Sequence, residues 1–72
     1  MGNQYAYELI IQSSSPDVKS IGYTFGESTD GYFTPVPNNY AWIVGVTEGS
    51  IGSVTVQAVM NDGAVLYKTF YL

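Results

Sequence analysis

Apolar residues recur at every second position along this chain, and turn formers interrupt them about every ten residues. That is the side-chain period of a half-buried β-strand. Tyr5, Tyr7, Leu9 and Ile11 share one face of a first run. Ser13-Ser14-Ser15-Pro16-Asp17 breaks it with residues that favour turns. Lys19 to Phe25 resumes the alternation with Ile21, Tyr23 and Phe25 together, and Gly26 to Gly31 reads as a polar hairpin tip. A short run from Tyr32 to Val36 follows. Its Pro35 lacks an amide proton, which restricts it to a sheet edge.

Pro37-Asn38-Asn39 turns the chain into Tyr40 to Thr47, where Tyr40, Trp42, Val44 and Val46 oppose Ala41, Ile43 and Gly45. Glu48-Gly49-Ser50 turns it again. Ile51 to Met60 is β-branched, with Val54, Val56, Ala58 and Met60 on one face. Asp62-Gly63 suits the positive φ angles of a tight type I′ hairpin. A two-residue loop there pairs Met60 with Val65, Ala58 with Tyr67 and Val56 with Thr69. The last run, Ala64 to Leu72, is apolar on both faces, which suits a central, covered or interfacial strand. No segment sustains a helical apolar period. The prediction is one domain over residues 1–72: an all-β, six-stranded antiparallel immunoglobulin-like β-sandwich, with a small open barrel as the alternative. Its expected inward residues are Leu9, Ile11, Ile21, Tyr23, Trp42, Val44, Val54, Val56 and Ala58.

A chain of 72 residues has little core to spare. It has no Cys and no His, so disulfides are excluded and a structural zinc is disfavoured. Stability must come from packing, and seven Tyr, three Phe and Trp42 supply the aromatic area for it. Trp42 reads first as the core plug of the sandwich, with the tyrosines at its rim. The other reading of the aromatics is a platform for a sugar or peptide, with Tyr5, Tyr7, Tyr32 and Tyr40 as the candidates. Tyr suits either place, because its ring is apolar and its hydroxyl seeks water or a partner.

Composition removes several functions. General acid–base chemistry at neutral pH usually uses His, and none is present. Neither Lys19 nor Lys68 lies in a motif that would activate a Ser. Glu27 and Asp30 are the closest acids, but they sit in the expected hairpin tip and lack the oxygen density of a calcium loop. We therefore expect no catalytic residues, no metal and no cofactor. Two lysines, no arginine and a net charge of −4 argue against a nucleic-acid partner and against an anionic membrane surface. No apolar run approaches the roughly 18 residues that span a bilayer, so no membrane insertion is expected. Met1-Gly2-Asn3-Gln4 does not open a signal sequence, and Ala6 stands where a myristoylation pattern wants Ser or Thr.

Charged residues make up 11% of the chain, against roughly 25% in soluble domains at large. Ser, Thr, Asn, Gln and Tyr fill the polar positions instead, a balance that favours an extracellular or cell-envelope setting. The order of landmarks points the same way. Tyr7-Glu8-Leu9 opens a strand and Ile21-Gly22-Tyr23 follows. Then come a Gly-containing loop, Pro37 with Trp42, and Val54-Thr55-Val56 running through Asn61-Asp62-Gly63 into Val65-Leu66. This order resembles the small immunoglobulin-like domains of bacterial envelope proteins, including the soluble part of the MmpS-type transport accessory family. The resemblance implies a non-catalytic binding or accessory module of a bacterial surface or envelope protein. The alternative is a structural subunit of a virion or surface assembly that homo-oligomerises through strand edges. A protein partner or self-association is expected, and carbohydrate is the other candidate ligand. Leu66, Phe70 and Leu72 form the candidate interface, because a sandwich this small has one inner space and the last strand has two apolar faces.

Overall fold

The computed structural model describes residues 4–49 and 51–72. Met1, Gly2, Asn3 and Ser50, the last residue of the expected Glu48–Ser50 turn, lie outside the described residues. Six antiparallel strands form as the alternation predicts: β1 (Tyr5–Gln12), β2 (Val18–Phe25), β3 (Thr34–Val36), β4 (Tyr40–Thr47), β5 (Ser53–Met60) and β6 (Val65–Tyr71). They build two sheets, a ribbon of β1 and β4 and a four-stranded sheet in the order β3-β2-β5-β6. The sheets pack as an open sandwich and do not close into a barrel. The edge position of β3 follows from Pro35, which has no N–H to offer a second neighbour.

The crossing between sheets is short. Pro37–Asn39 form a single 3-10 turn after β3. Asn38 and Asn39 both take positive φ, 59° and 56°, which Asn tolerates better than most side chains. The turn is tied down where Ser13 N–H donates to the Asn39 carbonyl at 2.9 Å. The chain thereby leaves the four-stranded sheet and enters the ribbon, where β4 pairs with β1 from Tyr5↔Thr47 to Gln12↔Tyr40.

The core lies between the sheets. Ile11, Ile21 and Val36 form its buried centre, with Val18, Tyr23, Ala41, Ile43, Val56 and Ala58 packed around them. Val54 is buried farther along β5. Leu9, Ile11, Ile21, Tyr23, Val54, Val56 and Ala58 therefore face inward as expected. Trp42 and Val44 do not. Ala41, Ile43 and Gly45 are the inner residues of β4, while Trp42, Val44 and Val46 point to solvent at 63%, 68% and 66% exposure. The reason is room. Tyr7 lies opposite Gly45, and a Cβ added at Gly45 would overlap the Tyr7 ring. That ring meets Phe25 edge-on, with centroids 5.6 Å apart. The inner space already holds the large side chains of β1, so β4 turns its small ones toward it.

The β5–β6 hairpin also departs from expectation, by one residue. Val59 pairs with Val65, Ala58 with Leu66, Val56 with Lys68 and Thr55 with Thr69. The loop holds three residues, Asn61, Asp62 and Gly63. Gly63 N–H donates to the Met60 carbonyl at 3.0 Å, and Met60 N–H to the Ala64 carbonyl at 2.8 Å. Gly63 adopts φ 93°, the left-handed residue that closes this kind of loop. Asp62 Oδ1 accepts from Ala64 N–H at 2.9 Å, which holds the loop in this form. A one-residue shift turns every side chain over. It also brings the Thr55 and Thr69 hydroxyls within 2.8 Å, while Thr55 Oγ1 donates to the Gly26 carbonyl at 2.7 Å. Thr55 is fully buried, and this pairing satisfies its hydroxyl.

Candidate binding surfaces

A ribbon two strands wide covers about 10 Å, whereas four strands span about 19 Å. The mismatch leaves two apolar surfaces open. One is the outer face of the ribbon itself. β4 contributes Tyr40, Trp42, Val44 and Val46, and β1 contributes Ala6, Glu8, Ile10 and Gln12. Ile10 is 62% exposed, like its neighbours across the ladder. Glu8 is the one charged residue on this face, and its Oε2 accepts a 2.7 Å hydrogen bond from Trp42 Nε1. The indole is thereby fixed across the strand pair, and the carboxylate has a donor without drawing on solvent.

The other surface is the end of the four-stranded sheet that the ribbon does not reach. Leu66 and Phe70 stand on the core side of β6 but remain about half exposed, as does Leu72 beyond them. A cleft of about 310 Å³ opens between the free edge of β1 and this row, walled by Leu9, Ile11, Val54, Val56, Phe70 and Leu72. Lys68 stands in the row too, with its Nζ 5.4 Å from the centre of the Phe70 ring. The opposite face of β6 carries Val65, Tyr67 and Tyr71, which are also exposed, but two of them have aromatic or polar partners. Phe33 reaches Tyr67, with centroids 5.7 Å apart. Tyr71 Oη donates to Glu27 Oε2 at 3.1 Å. That bond, reinforced by the negative charge of Glu27 and by slight burial, pushes the Tyr71 hydroxyl above its usual pKa of 10.0.

The four candidate tyrosines do not form one platform. Tyr5 and Tyr7 lie on the inner face of β1, Tyr40 lies on the outer face of β4, and Tyr32 is in the loop before β3. The candidate interface residues Leu66, Phe70 and Leu72 do lie together, along β6 and its continuation. Sequence reasoning missed the outer ribbon face, with Ile10, Trp42, Val44 and Val46. The signal that finds it is the pairing of β1 with β4, because Glu8 and Gln12 mark the outer side and the ladder sets Val44 and Tyr40 opposite them.

Among the described residues no three side chains of His, Cys, Asp or Glu converge. In the loop after β2 the Asp30 backbone N–H donates to Ser28 Oγ at 3.2 Å. Among the described residues no helix is long and apolar enough to cross a membrane.

The open surfaces leave a measurable surplus. A folded monomer of 7.8 kDa is expected to expose about 4,400 Å². This chain exposes 5117 Å², roughly 700 Å² more. Its radius of gyration is 13.2 Å, against about 11 Å for a compact domain of this length. No family model, curated protein or solved structure matches the chain.

Proposed function

We propose that this chain is a non-catalytic binding or accessory module of a bacterial surface or envelope protein, and that it works by docking against another protein. The surplus of exposed surface, together with the large apolar side chains that stand exposed on β4 and β6, is the observation that supports this reading. Its size, roughly 700 Å², is close to the roughly 800 Å² that each partner contributes to a standard protein interface. The envelope setting draws support from the low charge content and from the order of landmarks shared with immunoglobulin-like envelope domains.

Protein is favoured over carbohydrate by the chemistry of the ribbon face. Sugar sites place free polar groups around an aromatic floor to meet hydroxyls. Here the neighbours of Trp42 are Ile10 and Val44, and Glu8 is already engaged by the indole. A second reading, a structural subunit of a virion or surface assembly, has its own support in the unpaired edges. Both strands of the ribbon have a free edge, and the outer strand β6 carries Lys68 as its one charge.

A photo-reactive residue tests the reading in cells that make the protein. With p-benzoylphenylalanine at position 44, illumination should give a discrete adduct to one protein species, whether a second copy or another chain. The same group at Thr29, in the β2–β3 loop, should give none. Equal labelling at both positions would overturn the reading. So would an oligosaccharide whose binding is abolished by Trp42→Ala.

A further inference from the structure

Building on that reading, we propose that the outer face of the β1–β4 ribbon is a two-fold interface with the same face of a second copy of this chain. A strand pair apolar on both faces belongs in the interior of a layered structure. The inner face of the ribbon, with Leu9, Ile11, Ala41 and Ile43, is covered by the four-stranded sheet. Its outer face, with Ile10, Trp42, Val44 and Val46, has nothing over it. Stacking two copies gives four layers, with the two ribbons inside. Aligned sheets pack in this way about 10 Å apart.

The area agrees. With Tyr40, the outer face carries five large apolar side chains exposed by half to two-thirds, which amounts to roughly 600 Å². That is near one side of a standard interface, roughly 800 Å². The charge pattern selects a second copy over a charged partner. Glu8 is the face's one ionisable group, and Trp42 Nε1 satisfies it within its own chain. Asp17, Lys19, Glu27, Asp30, Glu48, Asp62 and Lys68 all sit on loops or on the four-stranded sheet. Two acidic copies can therefore meet here with every charge but Glu8 outside the contact.

The competing surface, Leu66, Phe70 and Leu72, is smaller, with three large apolar side chains against five, and carries Lys68 in the same row.

Light-scattering mass across about 1 to 500 µM, a range that brackets micromolar affinity, reads the outcome. The wild type should be a dimer at the upper end. Its Trp42 emission should shift to the red on dilution, because the indole is exposed in the single chain. Val44→Lys puts a charge at the centre of the face, opposite Glu8 in the ladder. It should weaken association at least a hundredfold with the strand signal in circular dichroism intact, and Phe70→Lys should leave the dimer unchanged. If Val44→Lys does not fold, Val46→Glu makes the same test. A wild type that stays monomeric throughout overturns the proposal. An adduct to a different protein at position 44 would then still support the docking function. A dimer lost in Phe70→Lys and kept in Val44→Lys moves the interface to β6 and overturns the proposal as well.

Discussion

β2–β5 and β1–β4 are two strand pairs of the same length, each antiparallel over eight-residue strands. They differ in what lies behind them. β2–β5 presents Ile21, Tyr23, Val56 and Ala58 to the core, and Gly22, Thr24, Thr55 and Gln57 to the other side. One face is apolar and one is not, so the inside is decided by the alternation alone. β1–β4 presents Leu9, Ile11, Ala41 and Ile43 to the core, yet sets Ile10, Trp42, Val44 and Val46 on the other side. Alternation sorts residues into faces. It names the buried face only when the two faces differ in polarity. When both are apolar, packing against the opposing layer decides, and here Tyr7 over Gly45 decides it.

The strongest way to break this contrast is to cut into each pair in turn. Ile21 is buried at the centre of the core, next to Ile11 and Val36. Ile21→Ala should cost about 2–5 kcal/mol, lost apolar transfer plus a residual cavity. In a domain with so small a core that is a large part of the total. Denaturant unfolding with an unchanged midpoint would show that the two sheets do not share this core.

The matching cut in the ribbon should be mild. Were Trp42 the core plug, Trp42→Ala would cost about 3–5 kcal/mol. In the exposed position it removes mainly the hydrogen bond to Glu8, worth about 0.5–1.5 kcal/mol. The measurement belongs in the Val44→Lys background, where the chain is a monomer and loss of an interface cannot enter. A cost of 3 kcal/mol or more there would return Trp42 to the core and close the outer face as a binding surface.

Much of the fold can be read from the chain. The six strands, the edge position of β3 and the β2–β3 hairpin all follow from alternation, from Pro35 and from the Gly26 to Gly31 loop. What is hidden is relational. The side on which Trp42 lies depends on β4 pairing with β1, a contact between residues more than thirty positions apart. The β5–β6 register depends on whether Asn61 joins the turn. Asp62 bonding to the Ala64 amide and the Thr55–Thr69 pair settle that, and the second joins residues on different strands that no local pattern links. The candidate tyrosines fail as a group for the same reason. Period two places Tyr5 with Tyr7, but nothing local says that Tyr40 faces the other way. Leu66, Phe70 and Leu72 lie together as expected, but on the core side of β6 and not on its outer side; they are bare because the ribbon does not reach them.

The smallest effect lies at the far edge of the four-stranded sheet and tests the contact between that edge and the loop after β2. Tyr71 on β6 donates its hydroxyl proton to Glu27 in the loop after β2. The bond needs that proton, and the Glu27 charge resists its loss, so the Tyr71 pKa in the folded chain lies above 10.0. A folded-state pKa above the unfolded one means that the folded chain holds the proton more tightly. The contribution is therefore complete below about pH 10, the ordinary tyrosine value. It is lost as pH rises through the higher folded value, where phenolate and carboxylate repel. Tyr71→Phe isolates it, because every other ionisable group is common to both chains. Urea midpoints should show the wild type slightly more stable than Tyr71→Phe at neutral pH, with the gap closing only in the alkaline range above about pH 10. A gap that instead widens as pH rises from neutral to about pH 9 would mean that Tyr71 loses its proton more easily in the folded chain. The Tyr71 hydroxyl would then not be held by Glu27, and the loop after β2 would not be tied to β6 through it.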